Sequence, residues 1–108
     1  MKILLDECMT KKVKAHLLEF EVHTLNDMGW SGLKNGTLLK VAVEQAFDIL
    51  LTVDKNLPYQ QNMLQHNITV VVLDVKRSKI SQLLEVLPLF KEQVFSFQKA
   101  QVYRIKKG

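Results

Sequence analysis

A short apolar run in the middle of the chain constrains the fold most strongly. Ile49–Val53 consists of strand-forming, mostly apolar residues and leads directly into Asp54. A run without polar alternation is typical of a strand that is buried on both faces, as at the centre of a parallel sheet. The N-terminus repeats this design, because Lys2–Leu5 is followed at once by Asp6 and Glu7. The sequence therefore predicts two central strands that each end on a carboxylate.

Predicted strands and helices alternate along the chain. The predicted strands are Lys2–Asp6, Glu21–Leu25, Asp48–Val53, Ile68–Leu73 and Gln101–Ile105. The predicted helices are Thr10–Glu19 with Thr10 as its N-cap, Thr37–Gln45, Tyr59–Gln65 and a long stretch from Ser78 in which Pro88 produces a kink or two abutting helices. Asn26–Gly36 is expected to be a loop because it holds three of the four glycines.

This alternation predicts an α/β fold, a three-layer sandwich with a mostly parallel central sheet. Right-handed crossovers give the strand order 2-1-3-4, with the fifth strand at the far edge in either orientation. Asp6 and Asp54 then lie at the same end of neighbouring strands. Ligands of open α/β sheets bind at this position, where the strand order reverses. The sequence therefore predicts one acidic site.

Composition narrows the classes of protein. A chain of 108 residues fits one domain spanning the whole sequence. No apolar run approaches the roughly 18 residues of a membrane span, so no membrane contact is expected. The lone cysteine, Cys8, excludes an internal disulfide, and the first residues lack the features of a secretory signal, so we expect a cytoplasmic protein. The net charge of +4 is compatible with a polyanionic partner.

Two carboxylates that converge in a cleft repel each other, so they either share a proton or bind a cation. Mg²⁺ and Mn²⁺ prefer oxygen ligands, and Mg²⁺ is usually held by one or two carboxylates together with substrate phosphates. Such an ion can orient water and stabilise the leaving oxygen when a phosphodiester is cleaved. A phosphodiester substrate is therefore compatible with the predicted site.

Other polar residues are expected near the same end of the sheet. Helix N-termini lie there, and their free N–H groups and dipole attract phosphate. The residues that follow Asp54 belong to the same edge. From these two groups we predict the substrate-binding residues Lys11, Lys12, Asn35, Lys55, Asn56 and Gln60. Asp27 and Asp74 also follow strands at this edge, but the strand order places them further out.

Three segments carry a resemblance to a known family. MKILLDE at the start, the loop GWSGLKNG and the stretch LLTVDKNLPYQQN together resemble the short PIN-like proteins, which are compact relatives of PIN nucleases and VapC-type toxins. The resemblance covers Met1 to about Leu73. It implies a PIN-like fold and a ribonuclease that uses Mg²⁺ or Mn²⁺, with Asp6 and Asp54 as metal ligands and catalytic residues. Implied partners are RNA, an antitoxin-like protein and a second copy of the chain.

The chain departs from the family at the start of the second helix. Many PIN-like relatives have an acidic residue there, whereas this chain has Asn35, which supplies no charge. Glu7 is the third predicted catalytic residue because it could replace the missing carboxylate. The same departure favours an alternative function, a PIN-like binding module that is weakly active or inactive.

A second alternative is a receiver-like phosphoacceptor domain. Such domains also combine two acids after the first strand with an aspartate after the third, as Asp6, Glu7 and Asp54 do here. Against it, the fourth strand ends in Leu73 and Asp74, where a serine or threonine would be expected. An ordinary structural interpretation also exists for each carboxylate, since residues at strand ends often cap turns.

Overall fold

All strands belong to a single sheet. The computed structural model of the protein describes residues 1–57, 66–77 and 79–107, apart from the side chain at position 35. The strands are β1 (Lys2–Leu5), β2 (Glu21–Thr24), β3 (Ile49–Thr52), β4 (Thr69–Asp74) and β5 (Val102–Lys106). The helices are α1 (Leu25–Met28), α2 (Asn35–Glu44) and α3 (Ile80–Gln93), with 3₁₀ helices at Lys11–His16 and Val94–Ser96.

The sheet has the order β2-β1-β3-β4-β5, and every neighbouring pair is parallel. This confirms the predicted α/β class and strand order, and it shows that β5 is parallel too. In the register of the central pair, Leu5 of β1 lies opposite Leu51 of β3. The strand order reverses between β1 and β3, so the predicted ligand position lies between these two strands.

Two hydrophobic clusters cover the two faces of the sheet, as a three-layer sandwich requires. Within β3, Ile49 and Leu51 pack with the 3₁₀ helix at Lys11–His16 and with α3, whereas Leu50 packs with α2 on the other face. All residues of β3 are buried. The continuous apolar run in the sequence is therefore explained by alternate side chains that enter two different cores.

Two predictions between β1 and α2 need correction. The first crossover is a 3₁₀ helix rather than an α-helix over Thr10–Glu19, although Thr10 does accept a hydrogen bond from Lys12 N at 3.3 Å as its N-cap. The chain has to turn back quickly, because Phe20 N donates to Leu17 O and the next residue already pairs with Met1. The predicted loop Asn26–Gly36 overlaps the short helix α1 at its start and α2 at its end.

Helix α1 is stabilised by a capping box and by a left-handed glycine. Thr24 Oγ1 accepts from Asp27 N, the Asp27 carboxylate accepts from Thr24 N, and the helix ends at Gly29 with φ 72°. These reciprocal bonds satisfy backbone donors that a four-residue helix would otherwise leave unpaired. The glycine-rich composition of the segment concealed this helix in the sequence.

Pro88 lies inside a single α-helix, so the prediction of two abutting helices is wrong. Proline removes one backbone donor from the helix interior. The buried stripe formed by Leu83, Val86, Leu87 and Phe90 continues on both sides of it and keeps the helix against the sheet. The predicted helix Tyr59–Gln65 lies outside the described residues. Over the described ranges, no helix combines the length and apolarity that crossing a membrane requires.

Candidate functional site

The carboxyl ends of β1 and β3 bring Asp6 and Asp54 to the same edge of the sheet. Asp6 N donates to Leu51 O at 3.0 Å, which extends the strand pairing one residue beyond β1. This bond places Asp6 beside Thr52, the last residue of β3. The predicted proximity of the two aspartates follows from the parallel register of two adjacent strands.

Thr52 connects the two aspartates through its fully buried hydroxyl group. Its Oγ1 donates to Asp6 Oδ2 at 2.9 Å and accepts from Asp54 N at 3.0 Å. One side chain therefore fixes both the carboxylate of Asp6 and the backbone at Asp54. Thr52 was not among the predicted site residues, although a hydroxyl within an otherwise apolar buried strand was a signal that could have identified it.

Cys8 also contacts the Asp6 carboxylate. Its Sγ lies 3.3 Å from Asp6 Oδ2 and 3.2 Å from Thr52 Oγ1. Burial of the thiol raises the pKa of Cys8 above its usual value, and the neighbouring Asp6 carboxylate adds to this rise. The thiol is therefore neutral at physiological pH and acts as a weak donor to Asp6.

Asp54 partly stabilises its own turn. Its Oδ1 accepts from Asn56 N at 2.9 Å, and its carbonyl accepts from Leu57 N at 3.2 Å. Asn56 thus contributes its backbone to the site, and its own side chain is exposed. Within the described part of the chain, neither Asp54 Oδ2 nor Asp6 Oδ1 accepts a hydrogen bond. Each aspartate therefore has one oxygen held by the protein and a second oxygen that accepts no hydrogen bond from the described residues.

Glu7 lies at the same edge, but its carboxylate contacts the loop between α1 and α2. Its Oε1 accepts from Gly32 N at 2.7 Å, and Gly32 has a left-handed φ of 86°. The same loop is fixed on its other side, where Trp30 packs edge-to-face against Phe47 with ring centroids 5.8 Å apart. Glu7 is thus a loop anchor, and Trp30 belongs to the hydrophobic core.

A cleft of about 530 Å³ opens beside Asp6, over the ends of β1 and β2. Glu7 and Lys11 line it, so one of the predicted phosphate-binding lysines does face the acidic edge. Asp27 also lines this cleft, and a hydrogen bond from Lys14 at 2.8 Å lowers the pKa of Asp27 to about 2. Asp27 is therefore already paired with a cation of the protein.

The remaining predicted binding residues are placed differently. Lys12 is an exposed residue of the 3₁₀ helix and does not line this cleft. Lys55 extends away from Asp54, since its Nζ forms an ion pair with Asp74 Oδ1 at 2.8 Å. Asn35 is the first residue of α2, which agrees with its predicted position at the N-terminus of the second helix. Gln60 lies outside the described residues.

The described ranges contain no group of three or more His, Cys, Asp or Glu side chains that could hold a metal ion. Asp6 and Asp54 are the predicted metal ligands at this edge. Two carboxylates, each with one oxygen that accepts no bond from the described residues, fit the donor chemistry of Mg²⁺, which commonly takes one or two carboxylates and completes its shell with water and phosphate oxygens.

A second charged region, around Asp74 at the end of β4, was missed by sequence reasoning. The Asp74 side chain is 7% exposed and contacts both Lys55 and Arg104, whose Nη2 lies 2.6 Å from Asp74 Oδ2. Lys55 first, and Arg104 in addition, lower the pKa of Asp74. The three residues come from distant parts of the chain, and the pairing of β4 with both β3 and β5 brings them together.

Fold and site together define a parallel α/β domain with paired aspartates at the reversal of its strand order. The chain matches no family model, no curated protein and no solved structure. The PIN-like resemblance therefore stays a prediction from the sequence.

Proposed function

We propose that the protein is a metal-dependent endoribonuclease of PIN-like type that hydrolyses RNA phosphodiester bonds with Mg²⁺ or Mn²⁺. The proposal includes a cytoplasmic location and an antitoxin-like protein as the natural inhibitor. One observation carries the catalytic part. Asp6 and Asp54 follow adjacent central strands and are linked by the buried Thr52 hydroxyl, and each has one carboxylate oxygen that accepts no hydrogen bond from the described residues.

Asp6 and Asp54 are the residues that would hold the cation, through the two oxygens that accept no bond from the described part of the chain. A bound Mg²⁺ or Mn²⁺ would supply orientation of water and stabilisation of the leaving oxygen. Thr52 is a positioning residue, since it fixes Asp6 Oδ2 and the backbone of Asp54. Glu7 positions the loop that borders the cleft, by its bond to Gly32 N.

The small number of acids sets an expectation for metal binding. Two carboxylates supply less charge than the larger acidic clusters of typical nucleases, so phosphate oxygens of the RNA are needed to complete the coordination shell. We therefore expect weak binding of the metal to the free protein and stronger binding when RNA is present.

The test is cleavage of a mixed-sequence single-stranded RNA with Mn²⁺ or Mg²⁺, with EDTA as the metal-free control. Asp54→Asn and Asp6→Asn remove one charge each from the site, and we expect both to abolish cleavage. Asp48→Asn is the matched control, because Asp48 precedes β3 at the opposite end of the sheet, where its carboxylate accepts from Lys2 N at 2.8 Å. An asparagine oxygen can still accept that bond.

The expected pattern is activity in the wild type and in Asp48→Asn, and none in the two site variants or with EDTA. Cleavage that persists in Asp54→Asn would come from a contaminating nuclease. A wild type that is inert with both metals over a range of RNAs would overturn the proposal and favour the binding-module alternative.

A further inference from the structure

A second cleft, of about 520 Å³, lies over the carboxyl ends of β4 and β5 and beside α3. We call it the basic cleft, because five of its lining residues are basic, namely Lys55, Lys76, Arg104, Lys106 and Lys107. Its acidic lining residues are Asp74 and Glu85. Five basic and two acidic groups leave a surplus of three positive charges, in a chain whose net charge is +4. This one cleft therefore holds a surplus nearly equal to the net positive charge of the whole protein.

The acidic groups of the basic cleft compensate only part of this charge. Asp74 contacts both Lys55 and Arg104, so these three residues together carry one positive charge. Lys107 is paired with Glu85 at 3.5 Å, and both side chains are more than half exposed. Such a pair is weak in water and can exchange for a stronger anion.

Two lysines of the basic cleft make no ion pair within the described ranges. Lys76 follows β4 and Lys106 ends β5, and both are exposed. The register places Lys106 directly opposite Asp74, so β4 and β5 bring the two lysines to the same edge of the sheet. Parallel pairing thus concentrates positive charge at this edge, and the described residues form no ion pair with either lysine.

The basic cleft adjoins the paired aspartates. Lys55 is the residue after Asp54, and it extends from the acidic site to Asp74. Neighbouring strands lie about 4.8 Å apart, so β4 and β5 are one and two strand spacings from β3. A flexible polyanion that places one phosphate at the aspartates therefore reaches the basic cleft with its next phosphates.

We propose that the basic cleft binds the phosphate backbone of single-stranded RNA beside the bond to be cleaved. Lysine contacts to phosphate provide affinity and orientation without reading bases. A pocket-sized cavity suits a strand that can bend into it, rather than a rigid duplex. This role rests on the proposed ribonuclease function. It adds that the RNA strand extends from the aspartates toward β4 and β5.

Binding is measured separately from cleavage to test this role. The probe is a short mixed-sequence single-stranded RNA, end-labelled with fluorescein, in EDTA so that no metal-dependent cleavage occurs. Fluorescence anisotropy at a series of salt concentrations gives the dissociation constant and its salt dependence. The test variant is K76Q/K106Q, because its two lysines form no ion pair with any described residue, so no described carboxylate loses its partner.

The matched control is K40Q/K99Q, which removes the same charge elsewhere. Lys40 is exposed on α2, and Lys99 lies near Asp48 at the opposite end of the sheet, at 3.9 Å. At about 0.1 M salt the screening length is about 10 Å, so these distant charges are expected to change binding by no more than about twofold. Circular dichroism confirms that each double variant remains folded.

Each phosphate contact to a single strand contributes about 0.7 to the slope of log K against log salt, or about fivefold in affinity at 0.1 M relative to 1 M salt. K76Q/K106Q is therefore expected to weaken binding by about 25-fold at 0.1 M salt and to reduce the slope by about 1.4. An equal effect of K40Q/K99Q, or an unchanged slope in K76Q/K106Q, would overturn the proposal.

Competition distinguishes a strand from a small anion. We expect unlabelled RNA to compete much better than a mononucleotide or inorganic phosphate, because a strand occupies several contacts at once. Equal competition by a mononucleotide would refute backbone binding and identify a nucleotide pocket.

The two proposals fail in different ways. Binding that depends on Lys76 and Lys106, without cleavage by the wild type, would overturn the ribonuclease function alone. Metal-dependent cleavage whose KM is unchanged in K76Q/K106Q would overturn only the proposal that the basic cleft binds RNA.

Discussion

Thr52 offers the sharpest test of how the two aspartates are held. Thr52→Val replaces the hydroxyl by a methyl group of similar shape inside a buried strand. It removes the bond to the Asp6 carboxylate, and hydrogen bonds to charged groups contribute about 1.5–3 kcal/mol. It also removes the acceptor for Asp54 N, which contributes about 0.5–1.5 kcal/mol. Burial of the added methyl group offsets about 0.8 kcal/mol of the stability lost with these two hydrogen bonds.

The net expectation is a loss of about 2 kcal/mol in the free energy of unfolding. With an unfolding entropy of about 2.1 cal/mol/K per residue, a chain of 108 residues changes its Tm by about 4.4 °C per kcal/mol. Thr52→Val is therefore expected to lower the Tm by roughly 9 °C. Thermal unfolding followed by circular dichroism measures this change.

Thr52→Ser is the matched variant because it keeps the hydroxyl and loses only a methyl group. A lost buried methyl costs about 1 kcal/mol, so this variant is also destabilised, by roughly 4 °C. The two variants are expected to differ in activity. Removing a partner that orients a metal ligand typically costs 10–100-fold in activity or metal affinity, so we expect about this loss in Thr52→Val and near wild-type cleavage in Thr52→Ser.

Two results would refute this reasoning. A Tm of Thr52→Val within about 2 °C of the wild type would show that the buried hydroxyl adds no net stability. Equal loss of cleavage in both variants would show that packing at this position matters and the hydrogen bonds do not. The stability measurement is independent of any enzymatic activity, so it tests the geometry of the site by itself.

Two further predictions concern other carboxylates. Lys14 lowers the pKa of Asp27 from 3.8 to about 2, so the stabilising effect of the Asp27 carboxylate is present above pH 3.8 and is lost as the pH falls toward 2. The Tm difference between wild type and Asp27→Asn should therefore shrink over that range. A Tm difference that stays constant would contradict the pairing of Asp27 with Lys14. Glu7→Gln keeps an acceptor for Gly32 N and is expected to retain cleavage, whereas Glu7→Ala removes this acceptor, loosens the loop and is expected to reduce cleavage. An inactive Glu7→Gln would show that the negative charge of Glu7 is itself needed.

The sequence could predict the position of Asp6 and Asp54 because that position depends on topology alone. Alternating elements and right-handed crossovers leave few strand orders, and each order fixes which strand ends are neighbours. The continuous apolar run of β3 also predicted burial on both faces, which Leu50 and Leu51 confirm by packing into different cores. Strand order and strand burial depend on backbone pairing, and the sequence pattern of apolar residues and alternating elements specifies that pairing well.

The directions of long side chains could not be predicted in this way. Lys55 follows Asp54 in sequence, yet its ammonium group contacts Asp74, a residue that comes near it only when β4 forms. Glu7 follows Asp6, yet it binds Gly32, whose position depends on the loop between α1 and α2. A neighbour in sequence is a poor guide to a contact when a flexible side chain can choose among partners from other strands.

The distribution of charge along one edge of the sheet follows from the same contacts. Lys55 is held by Asp74 rather than by the neighbouring Asp54 carboxylate, and Lys14 is similarly held by Asp27. The two aspartates therefore lie at the centre of the edge, and the lysines that pair with no described residue lie over β4 and β5. A single strand of RNA bound across this edge would have its backbone on the basic cleft and one phosphate at the aspartates. Asp74 is then the residue that separates the two regions, because it keeps Lys55 from neutralising the acidic site.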